Sequence, residues 1–341
     1  MSNEAYEFKN DDFELVGDKH DINKDEVMPD TPFWKDVITR FVDNKGAMVG
    51  SICILAIIIL AIICPIMSNY EFDKVSTIEQ SMAPRIPVLE KLGILDGEAN
   101  NINKYDNSQF KDTYHYFGTD TLGRDLWTRV WLGARISLYV AVAAVFIDIF
   151  IGMLYGLISG YFGGIVDNIM QRFQEIINSI PTLVILVLLM LVFKPSLYTI
   201  ILALMLTGWI GMARITRAQV LKIKEQEFIL ASRTLGAGDF FIIFKEVLPN
   251  IFGQIIIMSM FSIPNAIFYE AFLAFIGLGI PAPTASLGTL INEGYKSILV
   301  SPYMVIIPVV ILAVLMLSFN LLADGLRDAF DPKMKEMSVV L

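Results

Sequence analysis

Six stretches of this chain run apolar and almost uncharged, at 47–67, 136–159, 176–193, 197–212, 252–276 and 302–322 to within a few residues. Most are close to the ~20 residues a helix needs to cross hydrocarbon. A segment in lipid must satisfy its own backbone N–H and C=O groups, so only helices and closed barrels span membranes. Barrel strands alternate apolar and polar over about 10 residues, whereas these runs are continuous. The expected fold is all-α, a polytopic membrane protein with six transmembrane helices. Composition agrees, with 55% hydrophobic and 18% charged residues, where a soluble domain carries roughly a quarter charged.

Basic residues set the direction of the spans. Lys35, Arg40 and Lys45 precede the first run, and Arg214, Arg217, Lys222, Lys224, Arg233 and Lys245 fall between the fourth and fifth. Arg327, Lys333 and Lys335 follow the sixth, while the short loops on the other side hold only Lys194 and Lys296. Lys and Arg concentrate in cytoplasmic loops, so both termini are expected in the cytoplasm of a cell carrying this chain in its membrane. The division expected is a largely disordered cytoplasmic segment at 1–46, a first transmembrane helix at 47–67 and an extracytoplasmic loop at 68–135. A core of five transmembrane helices follows at 136–322, with a cytoplasmic loop at 213–250 inside it, and a cytoplasmic tail at 323–341. The formal net charge of −9, concentrated in the N-terminal segment, argues against a nucleic-acid partner. The first apolar run starts after Lys45, late for a cleavable signal peptide.

Little in the chain suggests chemistry. Cys53 and Cys64 would lie about 16 Å apart along one helix, beyond disulfide reach. His20 and His115 are too isolated to expect a metal site. No G-x-x-x-x-G-K-[S/T] phosphate loop occurs, so ATP chemistry is expected elsewhere than in this chain. Gly152, Gly156 and Gly160 share one helix face and suit a close helix–helix contact. Asp148 and Glu270 fall within apolar runs, the latter after an expected break at Pro264–Asn265. Carboxylates in lipid are costly and usually face a cavity or a partner, which makes Asp148, Asn265 and Glu270 candidates for a translocation pathway. The outer block Gly118, Thr119, Asp120, Gly123, Arg124 and Asp125 has turn residues and an ion pair in reach. It reads either as a cap on the second span or as a contact for an extracytoplasmic protein.

The stretch "EFILASRTLGAGDFFIIFKEVLPN", residues 227–250, is unlike its apolar neighbours. Phe228, Ala231 and Leu235 recur at helical spacing. Gly236 suits a left-handed helix stop, Asp239 suits an N-cap, and Pro249 is expected to end the second helix. The pattern predicts a cytoplasmic helix–turn–helix, either lying on lipid or docking on a soluble partner.

The same stretch resembles the cytoplasmic signature of ABC-importer permeases, written EAA, three residues, G, nine residues, I-x-L-P. Leu230, Ala231 and Ser232 stand at the EAA positions, Gly236 at the glycine, and Leu248–Pro249 at the ending; Leu230, Ser232 and Glu246 depart from it. "FWKDVITRFVDNKGAMVG", "HYFGTDTLGRDLWTRVWLGARISLYV", "EAFLAFIGLGIPAPTASLGTLINEG" and "FNLLADGLRDAFDPK" are similar to successive blocks of the C-type permeases of oligopeptide and dipeptide importers. Leu287 replaces a common Trp and Ala323 a glycine. The resemblance implies a type I ABC-importer permease. It would pair with a second homologous permease, two ABC ATPase subunits that bind the ATP and Mg, and an extracytoplasmic peptide-binding protein. Peptide would be its substrate. It further implies that Glu227, Phe228, Ala231, Ser232, Leu235, Gly236, Leu248 and Pro249 form the ATPase contact. A same-architecture permease for nickel or another small solute, and a proton-coupled carrier built on Asp148 and Glu270, are the alternatives.

Overall fold

The computed structural model describes residues 33–99, 102–107 and 109–330; His20 and the acidic stretch before Phe33 lie outside the described residues. A short amphipathic helix, α1 (Phe33–Asp43), opens the described chain, so the segment expected to be disordered to residue 46 is helical from Phe33. Asn44 separates it from α2 (Lys45–Met67), and its side chain caps α2 by accepting from the Ala47 N–H. After the outer region come α3 (Leu126–Phe162), α4 (Gly164–Asn178), α5 (Thr182–Phe193) and α6 (Leu197–Ile223). The short α7 (Glu227–Thr234) leads to α8 (Asp239–Leu278), α9 (Leu287–Tyr295) and α10 (Tyr303–Phe330).

Five of these helices are long and apolar enough to cross a membrane, or six if α4 and α5 count as one bent span. That pair corrects the helix expected over 176–193. α4 and α5 meet at 70°, because Pro181 has no N–H to donate and drives the residue before it out of helical conformation. The twelve residues of α5 cover only about 18 Å.

Three more boundaries move. α3 begins at Leu126, ten residues inside the expected outer loop. α6 continues past Arg214 and Arg217 to Ile223, well beyond residue 212. α10 runs to Phe330, so the start of the expected tail is helical.

The described helices pack around four apolar clusters, two of which frame the fold here. α2, α3, α8 and α10 share a core that includes Ile54, Ile57, Ala134, Ile263, Ile267 and Leu315. Toward the other end, Leu157, Val220, Ile229, Ile243 and Val247 form a second cluster. The glycine face of α3 packs directly on α6. A β-carbon on Gly152 would sit 2.6 Å from the Trp209 carbonyl oxygen, one on Gly156 2.5 Å from that of Ala213, and one on Gly160 2.8 Å from the Val220 β-carbon. Backbone contact between α3 and α6 is possible only with glycine at these places, as the four-residue spacing predicted.

Among the described residues of the outer region, regular structure is short: 3-10 turns at Glu90–Leu92 and Lys104–Asp106 and the two-residue antiparallel strands β1 (Glu98–Ala99) and β2 (Ile102–Asn103). Arg85 organises it. Its guanidinium donates to Glu90 and to the Lys111 carbonyl, both at 2.8 Å, and lies over the rings of Tyr105 and Tyr114. Burial raises the Tyr105 phenol above its usual range, and its hydroxyl donates to the Ala83 carbonyl at 2.8 Å.

Candidate functional site

The 227–250 stretch forms a knuckle at the end of α8. α7 stops where the Leu235 N–H returns to the Ala231 carbonyl, and Gly236 turns the chain at φ +87°, a conformation that favours glycine. On the inner side Ile229 is fully buried and joins Ile242, Ile243 and Val247 against Leu157, Tyr161 and Val220. The Tyr161 hydroxyl donates to Asp239 at 2.8 Å, and Arg233 lies 5.2 Å above the Tyr161 ring. Lys224 donates to the Gly160 carbonyl at 2.8 Å. The knuckle is therefore fastened to the ends of α3 and α6.

Its other face is apolar and open. Leu235 is 88% exposed and Phe240 76%; Phe228, Leu230, Phe241 and Phe244 are exposed beside them. Glu227 and Ala231 share this open face, and Ser232 is half-buried. Two of the three motif departures meet here, since the Ser232 hydroxyl donates to Glu246 at 3.1 Å. A polar pair thus occupies places where the pattern has small and aliphatic residues.

Two expectations fail at this site. Asp239 does not cap the second helix; its carboxylate accepts from Tyr161 instead. Pro249 does not end that helix. Leu248 and Pro249 lie within a continuous helix from Asp239 to Leu278, because a π-helical turn at Ile242–Val247 precedes them. Proline is tolerated in the first turn of a helical segment, where its missing N–H is not needed, and the Asn250 amide covers the Glu246 carbonyl at 2.6 Å. Ile229 and Tyr161 were not singled out from sequence. Ile229 falls on the face opposite Phe228 and Leu235, in a segment with apolar residues on both sides, so periodicity alone did not mark it as the anchor.

Asp148 and Asn265 both line a cavity of about 270 Å³, with Thr182, Thr207, Ser262 and Tyr269. Asp148 is buried and opens a second π-helical turn, Asp148–Met153, within α3. Among the described residues, no Lys, Arg or His lines this space. Glu270 does not join it. It is fully buried between α3 and α8 and accepts from Ser137 at 3.1 Å. Nor does the helix break at Pro264–Asn265, since α8 passes through both.

The outer block points inward. Thr119, Asp120, Arg124 and Asp125 are all buried, and Gly118 and Gly123 take left-handed turns. Asp125 caps α3 through the Thr128 N–H at 2.9 Å and holds His115 at 2.8 Å. Asp120 accepts from the Arg124 Nε at 2.7 Å and from the Arg129 guanidinium. Both arginines also reach Glu293 of α9, at 3.1 and 2.8 Å. Arg129 and Glu293 were missed from sequence; they lie 164 residues apart, outside any local pattern.

Comparison with known proteins matches this arrangement to a family. The family described as "Binding-protein-dependent transport system inner membrane component" matches residues 149–336, and the "N-terminal TM domain of oligopeptide transport permease C" matches residues 32–84. The oligopeptide transport system permease protein OppC of Bacillus subtilis (strain 168) is 42% identical over 321 residues, 94% of this chain and 95% of that one. The dipeptide transport system permease protein DppC of the same organism is 41% identical over 308 residues, 90% of this chain and 88% of that one. Among solved structures, an inward-facing conformation of the MetNI methionine ABC transporter aligns with a TM-score of 0.48 at 21% identity, covering 59% of this chain and 97% of that one. On the family and full-length matches, this chain belongs to the binding-protein-dependent transport system inner membrane components, in the group that holds the OppC and DppC permeases.

Proposed function

We propose that this chain is the membrane-spanning permease subunit of an ATP-driven importer of oligopeptides or dipeptides. It forms half of the translocation pathway and is moved by a separate ATPase that grips the knuckle at 227–249. One observation supports this most: the knuckle is fastened on its inner side by Ile229 and Tyr161 while presenting a bare apolar face on the other. A helix lying on lipid would not need that bracing, whereas a lever does. The second helix of the knuckle is also the start of α8, so a push on it passes directly into the Asn265 side of the cavity.

In this reading ATP and Mg are bound by two partner ATPase subunits. A second homologous permease supplies the other half of the pathway, and an extracytoplasmic peptide-binding protein delivers substrate. The chain itself is a transport subunit in the cell membrane, with both termini in the cytoplasm. The test is ATP-dependent uptake of labelled di- to pentapeptides by the reconstituted complex. Ala231→Asp and Gly236→Pro are expected to abolish uptake while the permease pair still assembles. Uptake unchanged in an assembled Ala231→Asp complex would overturn the reading.

A further inference from the structure

The first span carries Pro65, which has no N–H to give the carbonyl of Ala61 four residues earlier. Arg135 of α3 fills that vacancy. Its Nε and Nη2 donate to the Ala61 oxygen at 3.1 and 2.7 Å, and Nη2 also approaches the Ile62 oxygen at 3.4 Å. These bonds leave Nη1 unspent. Among the described residues no carboxylate pairs with Arg135, so its full positive charge stands at the margin of the spans.

Two hollows meet at this residue. Below it, toward the middle of the span, an apolar groove of about 540 Å³ runs between α2 and α3, from Ile54 up to Ile66 and against Tyr139 and Val142. Above it a polar hollow of about 780 Å³ holds Ser68, Asn69, Glu71, Asp73 and Thr128. Arg135 and Ile66 line both. The thirteen residues from Ile54 to Ile66 span about 18 Å of helix, a little over half of the ~30 Å hydrocarbon core. Glu71 and Asp73 are exposed and form no ion pair among the described residues.

We propose that this continuous groove is a phospholipid site, with one acyl chain along α2, the phosphate on Arg135, and a headgroup amine facing Glu71 and Asp73. The order of the three environments is that of a phospholipid in one leaflet: apolar, cationic, then acidic. A guanidinium suits phosphate because it offers several donors in one plane. The two carboxylates disfavour a headgroup with further negative charge and favour an ethanolamine-type headgroup. A free fatty acid lacks the amine, and a soluble phosphate ester lacks the chain.

Native mass spectrometry of the full-length chain, released into mild detergent from bilayers of phosphatidylethanolamine and phosphatidylglycerol in equal amounts, reads this directly. The expected result is one retained phosphatidylethanolamine, favoured over phosphatidylglycerol about fivefold, the effect of one interfacial charge contact. Arg135→Ala is expected to lose it, but that change also bares the Ala61 carbonyl. Val142→Trp, at an exposed position, is the second variant; it fills the groove without touching that bond and is expected to lose the lipid while helix content stays. Glu71→Gln with Asp73→Asn is expected to keep a phospholipid and level the headgroup preference. No preference in the parent chain, or undiminished retention in Val142→Trp, would overturn the site.

Discussion

Asp120 takes bonds from Arg124, from Arg129 and from the backbone N–H groups of Leu122 and Arg124. Removing one member of a buried ionic cluster leaves the others uncompensated, at a cost of about 3–5 kcal/mol. Asp120→Ala is therefore expected to lower the unfolding midpoint in detergent sharply. Asp112→Asn, at an exposed residue of the same region, is expected to stay within about 0.5 kcal/mol of the parent. Equal effects of the two would mean that the cluster is not what holds the outer region to α9. Ser232 and Glu246 call for a finer measurement. Their bond is part-buried, and a hydrogen bond to a carboxylate contributes about 1.5–3 kcal/mol. A double-mutant cycle of Ser232→Ala and Glu246→Ile is expected to give a coupling near the lower end of that range; zero coupling would make their meeting incidental. Sequence could pair Arg124 with a nearby aspartate and read the block as a cap on the second span, because both are local, but it did not single out Asp125 as the N-cap. It could not find Glu293, since nothing local links α9 to the start of α3.

At the scale of helices the pattern of apolar runs gave the spans but not their ends. Charge was the stop signal used for the fourth span, and there it misled. The fourth run ends at residue 212, before Arg214 and Arg217, yet Arg217 donates to Asp167 of α4 at 2.6 and 2.5 Å and α6 continues past both to Ile223. Pro249 misled for a different reason, since it stands in the first turn of the α-helical segment that follows a π turn, where no N–H is needed of it. The glycine spacing on α3 was legible because close backbone approach admits almost nothing else. Gly156→Leu is expected to destabilise the α3–α6 contact by about 1–3 kcal/mol, the usual cost of overpacking, seen as a lower thermal midpoint of the purified chain. Gly211→Leu is the control, since a β-carbon there meets nothing within 4 Å, and it should leave the midpoint nearly unchanged. A drop as large at Gly211 would show that the helices tolerate no added bulk anywhere, and the face argument would fail.

For the whole molecule, the knuckle and the cavity are joined by α8, and the two ends should fail differently. Asp148→Lys places a cation in a space that no basic side chain lines among the described residues. It is expected to block peptide uptake while ATP hydrolysis by the reconstituted complex persists. Leu235→Asp alters only the open face of the knuckle, and is expected to lower both uptake and transport-coupled hydrolysis. Leu235 is also the natural place for a probe, being 88% exposed and seven residues from the Phe228 end of the stripe. Cys53 and Cys64 lie in α2, half-buried and buried, and can be replaced by Ala to clear the background. In that background Leu235→Cys should crosslink to the ATPase subunit, at a rate that changes when a non-hydrolysable nucleotide closes the ATPase pair. A crosslink that forms at the same rate with and without nucleotide would mean that the knuckle is held but not moved, and α8 would then be an anchor rather than the lever.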